Sequence, residues 1–191
     1  MPIYLASRSP RRLELLRQIG IEPEIMVADL DERLLPDESP EAYVCRLAVG
    51  KAQCAYNALP AERRGPVLGA DTAVVVSDRV LGKPRDAEHG MEMLLSLSGR
   101  THRVLTGVAL VNDGVHYRLS DSRVSFRPID EAEALAYWHS GEPADKAGGY
   151  GIQGLGALFV ERLEGSYSGV MGLPLFETAE LLQESGIKIL A

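Results

Sequence analysis

The stretch Val67-Leu68-Gly69-Ala70-Asp71-Thr72-Ala73-Val74-Val75-Val76 decides how the rest of the chain is organised. Its apolar residues follow one another almost without a break, which is typical of a strand that is covered on both faces. The residues Ser77-Asp78-Arg79 indicate a turn, and the apolar pattern returns at Val80, so a hairpin is expected here. Residues 67–76 therefore predict a buried strand at the centre of a layered fold.

On both sides of this strand, predicted helices and strands alternate. Before it, the sequence indicates one strand and two helices: Pro2–Ala6, a helix from Pro10 to Gly20 with Ser9 as N-cap, and a helix from Pro40 to about Asn57. After it, the sequence indicates further elements of both kinds: a helix from Asp86 to Gly99, a hairpin of Val104–Val111 and Val115–Phe126, a helix from Asp130 to Gly141, a strand at Ala157–Arg162 and a helix from Pro174 to Gly186. This alternation predicts an α/β fold with a mixed central sheet.

The composition limits the class of protein. The chain has 191 residues, of which 46% are hydrophobic and 25% charged. These values fit one globular domain, residues 1–191, and exclude a disordered chain. No apolar run approaches the ~18 residues that a membrane span needs, and no signal peptide is visible. The formal net charge of −7 argues against broad nucleic-acid binding but leaves room for a local basic pocket.

The cysteines indicate the compartment. Cys45 and Cys54 lie in one predicted helix, and their spacing at about 100° per residue puts them on opposite faces, so they are not expected to pair. The chain contains no CxxC motif and its four histidines are scattered, so a zinc site is not expected either. This use of cysteine is typical of a protein of the reducing cytoplasm.

Asp71 interrupts the apolar run with a charge. An unpaired carboxylate inside such a strand would cost several kcal/mol, so it needs a partner. Its neighbours on the same face of the strand, Gly69 and Ala73, are small and leave space over the carboxylate. A ligand or a metal ion would fill that space, and a structural partner is the alternative.

Two lysines occupy unusual positions, and one of them, Lys83, is a candidate to approach this carboxylate. If the turn takes Ser77–Arg79, Lys83 lies opposite Ala73, on the face of Asp71 and diagonal to it, although a salt bridge at the strand end is equally compatible. Lys51 lies inside the apolar stripe of the helix that begins at Pro40. It is expected either to contact a phosphate or carboxylate, or to extend its ammonium to solvent.

Basic residues also occupy an unusual place at the start of the first helix. Arg11 and Arg12 lie in its first turn, where the helix dipole disfavours a cation unless an anion is bound. Together with the Ser7 hydroxyl and free backbone N–H groups they would form a phosphate cradle. The alternative is a set of solvated arginines, and Arg8 adds a further cation beside them.

The glycine-rich stretch Asp145–Gly154 contains a formal GxGxxG pattern. A dinucleotide site is excluded because no strand is predicted before the pattern and no helix after it. Such glycine density suits a loop whose backbone approaches a ligand closely, or a plain connection. Within it, Gln153 offers a donor and an acceptor in one plane, as the edge of uracil or thymine requires. Taken together, these features are typical of a nucleotide polyphosphate site.

Eight segments of the chain closely resemble the Maf family of nucleoside triphosphate pyrophosphatases. They are LASRSPRRLELL (5–16), DERL (31–34), RLAVGKA (46–52), LGADTAVV (68–75), LGKPRDAEHG (81–90), LSGRTHRVLTGVAL (97–110), DKAGGYGIQG (145–154) and GLPLFET (172–178). The resemblance implies a mixed sheet flanked by helices, in two lobes around an active-site cleft, as in inosine-triphosphatase-like folds. It also implies a homodimer, a divalent cation (Mg²⁺ or Mn²⁺), and hydrolysis of a nucleoside triphosphate to monophosphate and pyrophosphate.

Site residues are also implied by this resemblance. Asp71 would be the general base, and Glu32 a catalytic carboxylate that holds the metal together with Asp71. The phosphate-binding residues would be Ser7, Arg11, Arg12, Lys51 and Lys83, of which Lys83 would also be catalytic. Selection of the nucleobase would depend on Arg12, Thr72 and Gln153. The sequence of the glycine-rich stretch is similar to that of the branch that prefers dTTP and UTP.

Three other functions stay open at this point. The same scaffold could serve purine nucleotides, 7-methyl-GTP among them, or another modified nucleotide. The family is also associated with septum formation, so the chain could be a nucleotide-binding regulator without activity.

Overall fold

The computed structural model describes residues 2–27 and 29–190. Its strands are β1 (Tyr4–Leu5), β2 (Glu24–Ile25), β3 (Val67–Val76), β4 (Arg79–Leu81), β5 (Thr101–Val111), β6 (Val115–Phe126) and β7 (Val160–Glu164). Its helices are α1 (Pro10–Gln18), α2 (Pro40–Ala58), α3 (Ala87–Leu97), α4 (Glu131–His139), α5 (Tyr167–Met171) and α6 (Leu175–Glu184). Short 3₁₀ turns cover Ala61–Arg63, Glu142–Asp145, Ala147–Gly149 and Leu155–Phe159.

The strands within the described residues form one sheet in the order β2-β1-β3-β5-β6-β7, with β4 paired to β3. Strand β1 runs parallel to both β2 and β3, whereas β4 is antiparallel to β3 and β7 is antiparallel to β6. The predicted α/β fold with a mixed sheet is therefore confirmed. Strand β3 is buried along almost its whole length, as its apolar run predicts.

Helix starts follow the capping residues in the sequence. Asp130 accepts a hydrogen bond from the Glu133 backbone N–H, and Glu133 reaches back to the Asp130 backbone, which completes a capping box. Asp86 accepts from the backbone N–H of His89 at the start of α3. These contacts satisfy N–H groups that have no partner inside the helix.

The chain divides into two compact units. The first comprises Met1–Asp71, Thr106–Ser120 and Gly172–Ala191, and the second comprises Thr72–Leu105 and Asp121–Met171. Side chains of β1, α2, β3 and β5, and of residues directly after β1 and α2, form a core in the first unit: Tyr4, Ala6, Ala48, Ala52, Ala55, Leu59, Val67, Ala109 and Val111. In the second unit, Phe126, Tyr137, Tyr150 and Phe159 form an aromatic group within a separate core. That residues 1–191 act as one domain stays a prediction.

The hairpin register differs from the prediction by one residue. Val74 pairs with Leu81 and Val76 with Arg79, so the turn consists of two residues, Ser77 and Asp78, instead of three. Both turn residues have positive φ angles, 48° and 60°. Turns of this kind follow the twist of the flanking strands and usually contain Asn or Gly, which is why Ser-Asp did not indicate one.

The predicted strand at Ala157–Arg162 is also displaced. Residues Leu155–Phe159 form a 3₁₀ turn, and β7 begins only at Val160. The cause is the Glu142 carboxylate, which accepts hydrogen bonds from the backbone N–H groups of Leu155 and Gly156 and holds this segment in a turn. The short elements β2 and α5 carry too few residues to show a period in the sequence.

No helix in the described part of the chain is long and apolar enough to cross a membrane. Cys45 and Cys54 both lie on α2 as free thiols, as their spacing predicts.

Candidate active site

Asp71 lies on β3 with only 7% of its surface exposed. Helix α2 crosses the strand next to it, and Gly69 permits the close approach. A Cβ atom at Gly69 would lie 2.3 Å from the Ala48 carbonyl oxygen and 2.8 Å from the Ala52 nitrogen. The space that the small neighbours leave over the carboxylate is therefore filled by the backbone of α2, and this brings Lys51 to Asp71.

Lys51 joins two carboxylates. Its Nζ atom lies 2.7 Å from Asp71 Oδ1 and 2.7 Å from Glu32 Oε1. The Lys51 side chain is only 11% exposed, so the alternative in which its ammonium extends to solvent is wrong. The ammonium shows that the two carboxylates converge on one position, because a single nitrogen is within hydrogen-bond distance of both.

Glu32 belongs to an irregular segment that α2 holds in place. The Tyr43 hydroxyl donates to the Glu32 carbonyl oxygen at 2.9 Å, and Arg46 Nη2 donates to the Arg33 carbonyl oxygen at 3.0 Å. Leu30 packs against Gly50, where a Cβ atom would lie 2.8 Å from its Cδ2. No periodicity in the sequence indicates this arrangement, so only the resemblance identified Glu32.

The start of α1 brings Ser7 and Arg12 together. Arg12 Nη1 donates to Ser7 Oγ at 3.2 Å, and the same oxygen accepts the Ser9 backbone N–H at 3.2 Å. Arg12 Nε donates to the Gly172 carbonyl oxygen at 2.7 Å. Ser7 is buried, whereas Arg8 lies exposed. The alternative of solvated surface arginines is therefore wrong for Arg12, whose guanidinium donates hydrogen bonds to Ser7 and Gly172.

Burial and charge act in opposite directions on the pKa values of Asp71 and Arg12, and in the same direction on the pKa of Tyr43. Burial raises the pKa of Asp71, and the positive charges of Lys51 and Arg12 oppose that change without cancelling it. Burial lowers the pKa of Arg12, against the attraction of Asp71. Burial, followed by the negative charges of Asp71 and Glu32, raises the pKa of Tyr43. The first unit thus holds two carboxylates and two cations in mutual electrostatic contact.

Three other predicted site residues lie in the second unit, whereas Arg11 is half-buried on α1 in the first. Thr72 is half-buried and directly follows Asp71 on β3, Lys83 is exposed beyond the end of β4, and Gln153 is exposed in a turn at 152–154. The two-residue hairpin turn makes the geometric derivation for Lys83 wrong. Strand β4 ends at Leu81, before Lys83 is reached, and its register is shifted by one residue from the expected one, which moves a side chain to the other face. Its role rests on the resemblance alone.

The glycines of the loop approach side chains of the protein itself. A Cβ at Gly148 would lie 2.8 Å from Val74, and one at Gly154 would lie 2.2 Å from the Glu142 carboxylate. Glu142 is a residue that the sequence analysis missed. The one signal for it was the glycines at 151 and 154, where a Cβ atom would lie within 3.2 Å and 2.2 Å of the Glu142 carboxylate.

Glu32 and Asp71 fit a hard divalent cation. Magnesium is commonly bound by one or two carboxylates together with oxygens of a phosphate substrate. The two side chains already meet at a positive charge, that of the Lys51 ammonium. Within residues 2–27 and 29–190, no group of three or more His, Cys, Asp or Glu side chains could hold a metal ion. A metal at this place would therefore need further oxygens from a ligand or from water.

Residues 2–185 match the family model described as Maf-like protein. The chain belongs to the Maf family. This confirms the resemblance and accounts for the agreement of its motifs over nearly the whole sequence.

Two relatives of this Maf chain carry the same name, dTTP/UTP pyrophosphatase. The protein of Alkalilimnicola ehrlichii is 60% identical over 95% of this chain and 92% of its own length. The protein of Saccharophagus degradans is 55% identical over 94% of this chain and 87% of its own length. A solved structure of a dITP/XTP pyrophosphatase from Mycobacterium abscessus is 18% identical, with a TM-score of 0.41 over 66% of this chain and 73% of that chain.

Proposed function

We propose that this Maf chain is a nucleoside triphosphate pyrophosphatase that hydrolyses dTTP and UTP to the monophosphate and pyrophosphate. The observation that carries the proposal is the buried Asp71 carboxylate, paired with Lys51 and adjoining Glu32 and Arg12. The name shared by relatives at 60% and 55% identity supports the substrate.

Asp71 is the general base in this mechanism. It takes the proton of a water molecule that attacks the α-phosphorus in line with the departing pyrophosphate. Its raised pKa makes it a better proton acceptor than an ordinary aspartate, while Lys51 keeps it sufficiently ionised. The base therefore depends on both its burial and its ion pair.

Cationic side chains bind the triphosphate. Arg12 and Ser7 provide donors at the start of α1, where the backbone N–H groups also favour an anion. The Lys51 ammonium binds the phosphates after it leaves a carboxylate. Arg11 and Lys83 add positive charge. These groups stabilise the negative charge that develops on pyrophosphate as it leaves.

A divalent cation, Mg²⁺ or Mn²⁺, supplies Lewis-acid chemistry at the phosphate oxygens when it is bound. Glu32 and Asp71 are the residues that would hold it. Because Lys51 now contacts both carboxylates, its ammonium has to leave at least one of them for the cation. We propose that it then serves the phosphates instead.

The base is selected by Arg12, Thr72 and Gln153. The amide of Gln153 presents a donor and an acceptor in one plane, which matches the edge shared by thymine and uracil. Its exposed position in a short turn leaves the amide accessible.

A panel of triphosphates tests this function. Pyrophosphate release is measured from dTTP, UTP, ATP, GTP and 7-methyl-GTP with Mg²⁺ or with Mn²⁺. We expect turnover with dTTP and UTP, and a loss of about 10²-fold or more in Asp71→Asn with substrate binding largely kept. Near-normal turnover in Asp71→Asn would exclude Asp71 as the base. Binding without turnover across the panel would favour a regulator, and preference for 7-methyl-GTP would favour the modified-nucleotide alternative.

The setting of the enzyme is part of the proposal. We propose a cytoplasmic homodimer that does not bind nucleic acid, in which residues 1–191 act as one domain. Free cysteines on α2 support the reducing compartment, and the net charge of −7 is unfavourable for a nucleic-acid partner. The dimer rests on the family resemblance.

A further inference from the structure

A hydrogen-bonded pair of side chains, the buried Tyr137 and the half-buried Glu142, contacts the backbone next to the turn that carries Gln153. Glu142 Oε1 accepts the Tyr137 hydroxyl at 2.6 Å and the Gly156 backbone N–H at 3.0 Å. Glu142 Oε2 accepts the Leu155 backbone N–H at 2.7 Å. The Tyr137 hydroxyl in turn accepts the Gly151 backbone N–H at 3.1 Å. One carboxylate and one phenol thus bind the backbone on both sides of the turn at 152–154.

The glycines of this loop make room for the carboxylate. A Cβ at Gly154 would lie 2.2 Å from Glu142 Oε2, and one at Gly156 would lie 2.8 Å from the Tyr137 hydroxyl. Burial acts to raise the pKa of Glu142, but the hydrogen bonds from Tyr137 and the two amides outweigh burial and lower it. Glu142 therefore accepts these hydrogen bonds as an ionised carboxylate. Hydrogen bonds to a charged group are stronger than those between neutral groups.

A further hydrogen bond fixes the loop at Tyr150, the residue before Gly151. The Tyr150 hydroxyl lies 2.8 Å from His102 Nε2 on β5, and both residues are buried. Ile152, the direct neighbour of Gln153, is also buried, with 6% of its surface exposed. Gln153 is thus an exposed side chain on a backbone that is fixed on both sides.

We propose that Glu142, through Tyr137, is a positioning residue that sets the place of the Gln153 amide and thereby the preference for pyrimidine bases. The proposal rests on the function proposed above, in which Gln153 contacts the base. Glu142 itself touches no substrate in this arrangement. Its two carboxylate oxygens already accept three hydrogen bonds from groups of the protein.

The test compares Glu142→Gln with Gln153→Ala. A glutamine at 142 keeps the shape but turns one acceptor into an NH₂ donor that faces N–H or O–H donors. We expect the ratio of kcat/KM for dTTP to that for GTP to fall by about tenfold in Glu142→Gln, mainly through KM for dTTP. The change should have the direction seen in Gln153→Ala. Inhibition by inorganic pyrophosphate, which uses the residues of the phosphate site, should stay within about twofold of wild type.

Glu133→Gln is the matched control. Glu133 is a carboxylate of the same unit that caps α4 and pairs with Arg127, so its loss also reduces stability. It should leave the base preference unchanged. An equal change of the dTTP to GTP ratio in Glu133→Gln would overturn the proposal, since general destabilisation would then explain the effect. An unchanged ratio in Glu142→Gln would overturn it as well.

Amide hydrogen exchange provides a readout that does not need activity. We expect the Leu155 and Gly156 amides to exchange about tenfold faster or more in Glu142→Gln, and the Gly151 amide to do so in the milder variant Tyr137→Phe. Unchanged exchange in both variants would overturn the anchoring. If the wild-type chain released no pyrophosphate from any triphosphate, the proposed function would fail, and the exchange data would still decide whether Glu142 fixes the loop.

Discussion

Lys51 shows how much of the site depends on one side chain. Its ammonium is the shared partner of Asp71 and Glu32, at 2.7 Å from each. Without it, two carboxylates would face each other, one of them buried, and like charges in such a place disfavour ionisation. Lys51 therefore keeps the proposed base charged in the ligand-free protein, in addition to its proposed role at the phosphates.

This role predicts a change in the pH profile. Both the charge and the hydrogen bond of Lys51 lower the pKa of Asp71. The acid limb of the kcat/KM profile is the fall in kcat/KM at low pH, where the base becomes protonated. In Lys51→Met we expect this limb to move to higher pH. At neutral pH, kcat/KM should fall by about 10²-fold, because a donor to the reacting phosphates is also lost. Lys188→Met, which changes an exposed lysine near the end of the chain, should leave the profile unchanged. An acid limb at the wild-type pH would contradict the role of Lys51.

At the scale of elements, the site depends on how closely α2 lies on the sheet. Gly69 on β3 faces the α2 backbone, and Gly107 on β5 does so too, with a Cβ position 2.7 Å from the Val44 carbonyl oxygen. Two strands thus accept the helix at a distance that larger residues would prevent. The reach of Lys51 to Asp71 follows from this packing.

Gly69→Ala tests the packing. Backbone atoms of α2 cannot yield as a flexible side chain would, so we expect a loss of about 1 to 3 kcal/mol in the free energy of unfolding. We also expect the folded variant to have a lower kcat/KM than the wild type, since Lys51 moves away from Asp71. The loss of activity should therefore exceed the loss that the unfolded fraction alone would cause. Urea unfolding and steady-state kinetics measure both. Gly82→Ala, where a Cβ would meet nothing within 4 Å, is the stability control. Equal stability of the two variants would contradict the close contact.

The sequence predicts the elements of the site better than the contacts between them. The apolar run around Asp71 and the inward face of Lys51 were visible, because strand and helix periods are local properties. The pairing of these two residues was missed, and Lys83 was placed beside Asp71 instead, because pairing depends on which helix covers β3 and on the length of one turn. Glu142 and the Glu32 segment left little pattern, since their contacts go to backbone atoms.

At the scale of the whole molecule, each unit has its own core, and a histidine lies inside that of the second. His102 is 2% exposed, with the rings of Phe126 and Tyr150 edge-on at 4.9 and 5.5 Å. Its Nδ1 atom is buried without a hydrogen-bond partner in the described part of the chain. Burial lowers the pKa of His102 to about 4. The core therefore accepts His102 in its neutral form.

This histidine predicts a loss of stability in acid. In the unfolded chain a histidine binds a proton near pH 6.5, whereas folded His102 does so near pH 4. Between these values the unfolded state holds more protons, so stability falls as the pH falls, by about 3 kcal/mol from this residue. Urea unfolding at pH 7 and pH 4 should show a smaller difference in His102→Phe than in wild type. His116→Gln, at an exposed position, should keep the wild-type difference. The same difference in His102→Phe as in wild type would contradict this prediction.

The segment around Glu32 is held by carbonyl oxygens, and these do not depend on which side chain a residue carries. Tyr43 binds the carbonyl of Glu32, and Arg46 binds that of Arg33. Replacement of Arg33 by another residue leaves its carbonyl available as an acceptor. Mutations can therefore accumulate beside Glu32 over evolutionary time while its carboxylate keeps its place. We expect natural variation to be low at Tyr43 and Arg46, the two residues that supply the donors.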